Sequence, residues 1–590
     1  MPADIRARIC AGRIALRTWL SEPAIVVQAA FALAVAVGFL WGLPGSDSWA
    51  ADSISPRSCG LGAIVETYWP RHFHHYPPLH MALLTLVSIP WIGLAVSQSG
   101  TGIDALGAEL VKPLYMTGIE VGARLVAAAM AIAVVRSTMV LWERWAGRRA
   151  GIVAGAIVAM NAIFVFYAHT GNLDVPYLFW LALSFVELDR VACGEPRETQ
   201  ALLCGTAAVL TKDQSFGALV LTFPIYLAVV PWLARRAPVA RRGLLRAVLI
   251  SAGTYGVISG AFVNPLGFRD RIAHLFGPDS KPWAQYPGGL AGAVALTRDA
   301  LKTTTDFTSW PIVVAAIAGV CVAVSRNSGL TRVRLLMPLL ATVSFFAFFS
   351  LPVRMNEHRY FLAESVFFPP YAALAFELAW VRWPRARRLV AGVACASVAP
   401  ALLGVASMDA TLLADSRYAA ERFLARLPTG SFVEVFGGPI FMPRIPAQIV
   451  AVRPGIEPIA DRQAIAGVTD LVDSTLEIGV RAPEAIVLGT ELSDDSVGRP
   501  SPWDVAPATM QYSDRTSHAF FGSLVGGALG YGRALRATCS LPWPLECRRV
   551  HHSTGGEVWI YLPTPEKSAK TDVSPRGYPR PQLQPEARPQ

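Results

Sequence analysis

LHMALLTLVSIPWIGLAVS, residues 79 to 97, decides how this chain lies in a membrane. The run is apolar enough to cross a bilayer, and crossing would send every later loop to the opposite side. Four arginine clusters lie downstream: Arg144, Arg148 and Arg149; Arg235, Arg236, Arg241, Arg242 and Arg246; Arg326, Arg332 and Arg334; Arg382, Arg385, Arg387 and Arg388. Short loops rich in arginine stay on the cytoplasmic side, and all four clusters reach it only if residues 79 to 97 do not span. Pro77, Pro78 and Pro90 then suit a short, broken helix, re-entrant or lying along the outer interface.

Working outward, eleven apolar runs remain: near 23 to 43, 119 to 141, 150 to 168, 175 to 191, 200 to 212, 215 to 233, 245 to 264, 309 to 325, 335 to 352, 360 to 380 and 389 to 408. Arg6, Arg8, Arg13 and Arg17 keep the amino end in the cytoplasm, and no small-residue cleavage site follows the first run, so it reads as a retained helix. The 590 residues are 53% hydrophobic and only 16% charged, too apolar for a soluble multidomain protein. The formal charge of +10 sits in the clusters between apolar runs, which indicates membrane orientation and excludes a nucleic-acid-binding face. The expected protein is polytopic and α-helical, with about eleven transmembrane helices in residues 1–408 and an outer loop at 44–118 carrying juxtamembrane helices.

After residue 409 the spanning runs stop. DSRYAAERFLARL (415 to 427) has helical spacing, with Tyr418, Phe423, Leu424 and Leu427 able to share a face. SFVEVFGG, AQIVAVR and EAIVLGT read as strands bounded by Gly and Pro. A C-terminal extracytoplasmic α/β domain over 409–565 is expected, followed by a disordered tail over 566–590 rich in Pro, Arg, Gln and Lys. Cys59, Cys539 and Cys547 fall outside the membrane, where Cys539 and Cys547 are near enough in sequence for a disulfide.

The topology puts most of the unexpected polar residues on the outer side. Asp47 to His80 alone places Asp47, Asp52, Glu66, Arg71, His72, His74, His75 and His80 beside the bilayer, where ionisable groups are costly without a task or a partner. Asp174, in GNLDVP, follows a span that ends outward and either orients cations or caps the next helix before Val175 and Pro176. Lys212 is unusual in a chain that prefers arginine; its bland alternative is a lysine snorkelling to the interface. His72, His74, His75 and His80 suggest a metal, but their spacing fits no standard zinc pattern, so no metal is assigned. The loop 277 to 289, with Trp283 and Tyr286, either stacks on a ligand or anchors at the interface.

In order, DSWAADSISP (47–56), HHYPPLH (74–80), HTGNLDVP (169–176), LTKD (210–213) and RMNEHRY (354–360) resemble the polyprenyl-phosphate-sugar-dependent glycosyltransferases of the GT-C fold. The likeness is to the branch of protein O-mannosyltransferases and the lipid A aminoarabinose transferase, and it covers roughly residues 20 to 380. The resemblance implies a membrane enzyme that moves a sugar from a polyprenyl-phosphate donor to a hydroxyl of a lipid, glycan or protein, with inversion. It implies no nucleotide sugar and no required cofactor. The setting it implies is the bacterial inner membrane, with the carboxyl-terminal domain outside.

By this resemblance Asp52 is the first candidate for the general base and Asp47 the second. Either one alone also serves as a helix cap. Lys212, Arg359, His75, His74 and Arg354 are candidates to hold the donor phosphate, with Asp174, Tyr76 and His80 in support. Such chemistry needs a carboxylate to take the acceptor proton and cations to receive the charge of the departing phosphate. A transporter or flippase of lipid-linked saccharide is the alternative, but it calls for paired halves around a midplane site, whereas polar residues here load one face. A receptor-like role for the domain after 409 leaves the first loop unexplained.

Overall fold

The computed structural model describes residues 22–45, 49–50, 60–99, 103–110, 112–229, 239–276, 284–327, 329–355, 357–437, 439–455, 467–472, 481–489, 515–548, 554 and 556–565. Two compact units divide the chain: 1–414 with 540–554, and 415–539 with 555–590. The first is helical, and helices occupy each of the eleven apolar runs. Among the described residues, four unbroken helices are long and apolar enough to cross a membrane, or seven if each bent pair counts as one span. The bends come from specific residues. Arg148–Ala159 and Ala162–Ala168 meet at 68°, where Asn161 caps the second helix by accepting from Ile163 N and Phe164 N at 3.1 and 3.2 Å. The Asn161 amide also donates to the Ser365 carbonyl at 2.9 Å, fixing the kink against another helix.

The decisive stretch forms something other than the short, broken helix its prolines suggest. Pro78–Gln98 is one uninterrupted helix of 21 residues. Pro77 is its extended cap and Pro78 lies in the first turn, where a missing N–H costs nothing. Pro90 is inside the helix, at a typical cost of about 3 kcal/mol. Close packing offsets that cost: a Cβ on Gly118 would lie 2.3 Å from the Trp91 ring, and one on Gly122 would lie 2.9 Å from Val87. Glycine therefore lets the 34-residue helix Pro113–Ala146 press directly on the aromatic face.

The helix Asp174–Ala192 orients the unit. Its two buried acids, Asp174 and Asp189, are fifteen positions apart, about 22 Å of helical rise. At the Asp189 end, Arg144 approaches at 2.8 Å, Arg334 at 2.6 Å, and Trp145 Nε1 donates at 2.7 Å. Arg149 and Arg387 each stand 5.6 Å from the Trp380 ring, and Arg149 also pairs with Glu377 at 2.7 Å. Three of the four arginine clusters thus contribute to these two contacts, while Asp174 belongs to the opposite end of its helix.

The second unit is a six-stranded sheet: β1 Phe432–Phe436, β2 Val450–Gly455, β3 Val468–Val472, β4 Ala485–Gly489, β5 Tyr531–Ala537 and β6 Val558–Pro563. Its order is β3-β2-β1-β4-β6-β5; β3, β2, β1 and β4 pair in parallel, and β6 pairs antiparallel with both β4 and β5. Alternate side chains face opposite layers. Val433, Val435 and Val487 pack with Ala420 and Leu424 of the helix Ser416–Leu424, whereas Phe436, Ile486 and Leu488 pack with Phe520, Phe521 and Leu524 of Arg515–Val525. Every residue of β4 is buried, as a strand covered on both faces requires. Cys539 and Cys547 are both disulfide-bonded.

Residues 540–554 group with the helical unit although the sequence places them in the outer domain. The Glu546 and Arg548 backbone N–H groups donate to Ser407 Oγ and Thr411 Oγ1, at 3.3 and 2.9 Å, and Arg548 reaches the Asp306 carbonyl at 2.9 Å. The tail 566–590 lies outside the described residues.

Candidate active site

Three buried or mostly buried cation–carboxylate pairs gather around the Asp174 end of the helical unit. Asp174 opens its helix, with its N–H received by Asn172 Oδ1 at 3.1 Å. Lys212 closes Glu198–Thr211 in an extended conformation that turns its side chain back toward Asp174. Its Nζ lies 2.7 Å from Asp174 Oδ1, with side-chain exposures of 7% and 0%. Lys212 is therefore buried and does not snorkel. Gln214 adds a longer contact to the same oxygen at 3.4 Å, and the Tyr76 ring lies 6.0 Å from the ammonium. Asp174 Oδ2 has no hydrogen-bond partner among the described residues, and the same holds for the neighbouring Asn172 Nδ2, Thr211 Oγ1 and Ser215 Oγ.

The second pair joins Asp213 to Arg271, which the sequence did not single out. Arg271 belongs to Pro265–Phe276 and is almost fully buried; its Nε is unpaired among the described residues. With His74, Tyr76, Phe73 and Thr67 it lines a small cavity. Burial raises the Asp213 carboxyl above its usual range, and Arg271 opposes that rise. The third pair is Arg359 with Glu357 at 2.7 Å, with side chains 14% and 13% exposed. Burial pushes the Glu357 carboxyl up to about 8; Lys212 pulls it down and Asp174 pushes it up. The Arg359 guanidinium, donating at 2.7 Å, also works against the rise. Tyr360, under Arg359 at 5.2 Å, lies within electrostatic reach of Lys212 and Asp174.

The histidines divide between two settings. His74 is buried, with Nδ1 3.2 Å from both the N–H and the carbonyl of Tyr76. His75 is exposed and packs its ring 4.9 Å from His274, one turn beyond Arg271 on the same helix face. Partial burial and then the neighbouring His274 and His74 hold the His75 pKa below its ordinary value, with Glu66 acting in the opposite sense. His80 is buried in the first turn of Pro78–Gln98, with Nδ1 unpaired among the described residues. Arg354 has a left-handed backbone (φ 54°), and its carbonyl accepts from Gln285 N and Tyr286 N at 2.9 and 3.2 Å, pinning the loop before Leu290–Thr308. Tyr286 also donates to Asp299 at 2.8 Å.

Asp47, Asp52 and Trp283 lie outside the described residues. The turn over residues 37–43, which leads toward Asp47 and Asp52 in the sequence, is described, and buried Arg124 and His169 hold it. Arg124 donates to the Phe39 and Trp41 carbonyls at 2.6 and 2.9 Å, and His169 Nε2 meets the Val37 carbonyl at 2.6 Å. Arg271, His274 and Glu357 are the residues sequence reading missed. An Asn264-Pro265 start signal followed by Arg271 and His274 at helical spacing was the available sign for the first two.

No family model and no curated protein sequence matches this chain. Solved structures with a similar arrangement include ArnT from Cupriavidus metallidurans, in the apo state and bound to undecaprenyl phosphate. Each gives a TM-score of 0.45 at 14% identity and covers 92% of this chain and 98% of the other. The Archaeoglobus fulgidus oligosaccharyltransferase in complex with Zn and sulfate gives a TM-score of 0.40 at 11% identity, covering 79% of this chain and 69% of the other.

Proposed function

We propose that this chain is a membrane glycosyltransferase that moves a sugar from a polyprenyl-phosphate donor to a hydroxyl acceptor on the outer face. One observation carries the proposal: Lys212, Arg271 and Arg359, each paired with a carboxylate, gather with His74 and Tyr76 at the end of the helical unit opposite the Asp189 and Trp380 arginine contacts. Membrane-embedded cations held by acids are costly, and an anionic ligand at a lipid-facing surface accounts for their retention.

In the proposed reaction Asp52, or Asp47, removes the proton from the acceptor hydroxyl. The acceptor oxygen attacks the anomeric carbon from the face opposite the phosphate, the carbon–oxygen bond to phosphate breaks, and the configuration inverts. The electron pair of that bond leaves with polyprenyl phosphate, whose growing charge Lys212 and Arg271 receive. Preformed charge of this kind acts most strongly where it meets charge that develops in the transition state. Arg359 and Glu357 adjust the local field beside Lys212. The acceptor is a lipid, a glycan or a protein.

The test is transfer from radiolabelled polyprenyl-phosphate sugars to a membrane extract by the purified chain. Asp52→Asn, Asp47→Asn, Lys212→Ala and Arg271→Gln are compared with wild type. Transfer should be lost in the more important of the two aspartate variants and fall sharply in Lys212→Ala and Arg271→Gln. Transfer that survives all four changes sinks the proposal.

A further inference from the structure

Asn264 ties together two segments that each carry residues of the proposed site. It directly precedes Pro265–Phe276 and is 3% exposed. Its Oδ1 accepts from Gly267 N at 3.1 Å, three residues on, which caps the helix, and from Arg71 N at 3.1 Å. Its Nδ2 faces three carbonyls of a distant segment: Thr67 at 3.2 Å, Trp69 at 2.7 Å and His72 at 2.8 Å. The two backbones touch around this amide. A Cβ on Gly267 would lie 2.1 Å from the His72 carbonyl oxygen, and one on Gly260 would lie 2.8 Å from that of Thr67. Arg71 is held in a left-handed conformation (φ 64°) at the same place.

Each segment held by Asn264 carries part of the site. One continues into Phe73, His74, His75 and Tyr76; the other carries Arg271 and His274. Beyond the amide the segments meet again, with the His274 ring 4.9 Å from His75 and 5.7 Å from Phe73. His74 and Arg271 then share one cavity wall.

We propose that Asn264 is a positioning residue: its amide sets where the histidine loop lies against Arg271 and so where the Arg271 guanidinium stands to meet the donor phosphate. The inference rests on the proposed function for the identity of the ligand. Only an amide of this length meets the demand. Aspartate offers acceptors to three carbonyls, serine offers one donor, and glutamine extends the amide by a methylene.

The experiment uses the full-length purified chain as wild type, Asn264→Ser and Asn264→Asp. Hydrogen exchange is followed across residues 67 to 76, beside transfer kinetics with a polyprenyl-phosphate sugar. Both variants keep a cap for the helix, and the loop should exchange about tenfold faster in each, the scale of a lost buried hydrogen bond. The donor KM should rise about tenfold while the acceptor KM stays unchanged. A buried aspartate facing carbonyls is protonated more readily, so the donor KM of Asn264→Asp relative to wild type should fall back between about pH 8 and about pH 6, whereas the ratio of Asn264→Ser to wild type should stay constant. Loop exchange within twofold of wild type in the serine variant overturns the inference, as does an equal rise in donor and acceptor KM. If Asn264→Asp does not fold, the serine variant decides. Wild type that transfers no sugar from any donor refutes the proposed function, and the exchange result still judges the positioning role.

Discussion

Replacing Lys212 with methionine removes one charge from the buried pair at little change in volume. Its ammonium lies 2.7 Å from Asp174 Oδ1, and among the described residues the remaining side-chain hydrogen bond to that oxygen is from Gln214 at 3.4 Å. Removing one partner of a buried ion pair typically costs about 3–5 kcal/mol. A cation about 4 Å from a phosphate contributes about 4 kcal/mol at an effective dielectric near 20, about a thousandfold in rate if all of it appears in the transition state. Desolvation trims that to about a hundredfold. Lys212→Met should therefore lower both the unfolding midpoint in detergent and kcat/KM. Adding Asp174→Asn removes the stranded carboxylate, so the double variant should regain most of the stability and little of the transfer. Unfolding curves and steady-state kinetics on the four proteins of the cycle separate the two effects. A double variant as active as wild type would show that Lys212 serves only to neutralise Asp174.

Glu357 makes binding depend on pH. Its carboxyl is pushed up to about 8 by burial, so below that pH it is largely neutral and adds no negative charge beside Arg359 and Lys212. Affinity for polyprenyl phosphate should fall as pH rises through about 8 and the carboxylate forms, and Glu357→Gln should flatten the profile; an unchanged profile in that variant excludes the group. Arg271→Gln should raise the donor KM about tenfold to a hundredfold, as expected for a lost charge-assisted hydrogen bond, with the acceptor KM unmoved. Cysteines introduced at Trp69 and Ser97 should react with an impermeant thiol reagent from the same outer side, and one at Arg148 from the cytoplasm; labelling of 69 and 97 from opposite sides would make Pro78–Gln98 a span.

The helical framework was legible because spanning length and arginine clusters are strong, local signals. All eleven apolar runs became helices, and Arg144 and Arg334, from two separate clusters, meet on one aspartate. Pro78–Gln98 was misjudged in its continuity because the prolines are visible in sequence and the glycine-lined groove that holds Trp91 is not. In the second unit, β1, β2 and β4 announced themselves through apolar runs. β5 and β6 did not, because β5 (YGRALRA) carries arginines on an exposed face and β6 follows a polar stretch. Lys212 and Asp174 stood out as isolated polar residues at span ends. Their 2.7 Å contact joins residues 38 positions apart, a fact of tertiary packing alone. Arg271 was hidden for the opposite reason: FRDRIAHLF looks like an ordinary solvated helix until packing buries that one arginine.

The central claim is that cations at the Asp174 end receive a lipid-borne phosphate. Binding of radiolabelled polyprenyl phosphate to the purified chain in nanodiscs tests it most directly, with wild type set against Lys212→Met combined with Arg271→Gln. Saturable binding by wild type that is lost in the double variant, with both proteins folded, is the result expected. Equal binding by the two folded proteins would contradict it.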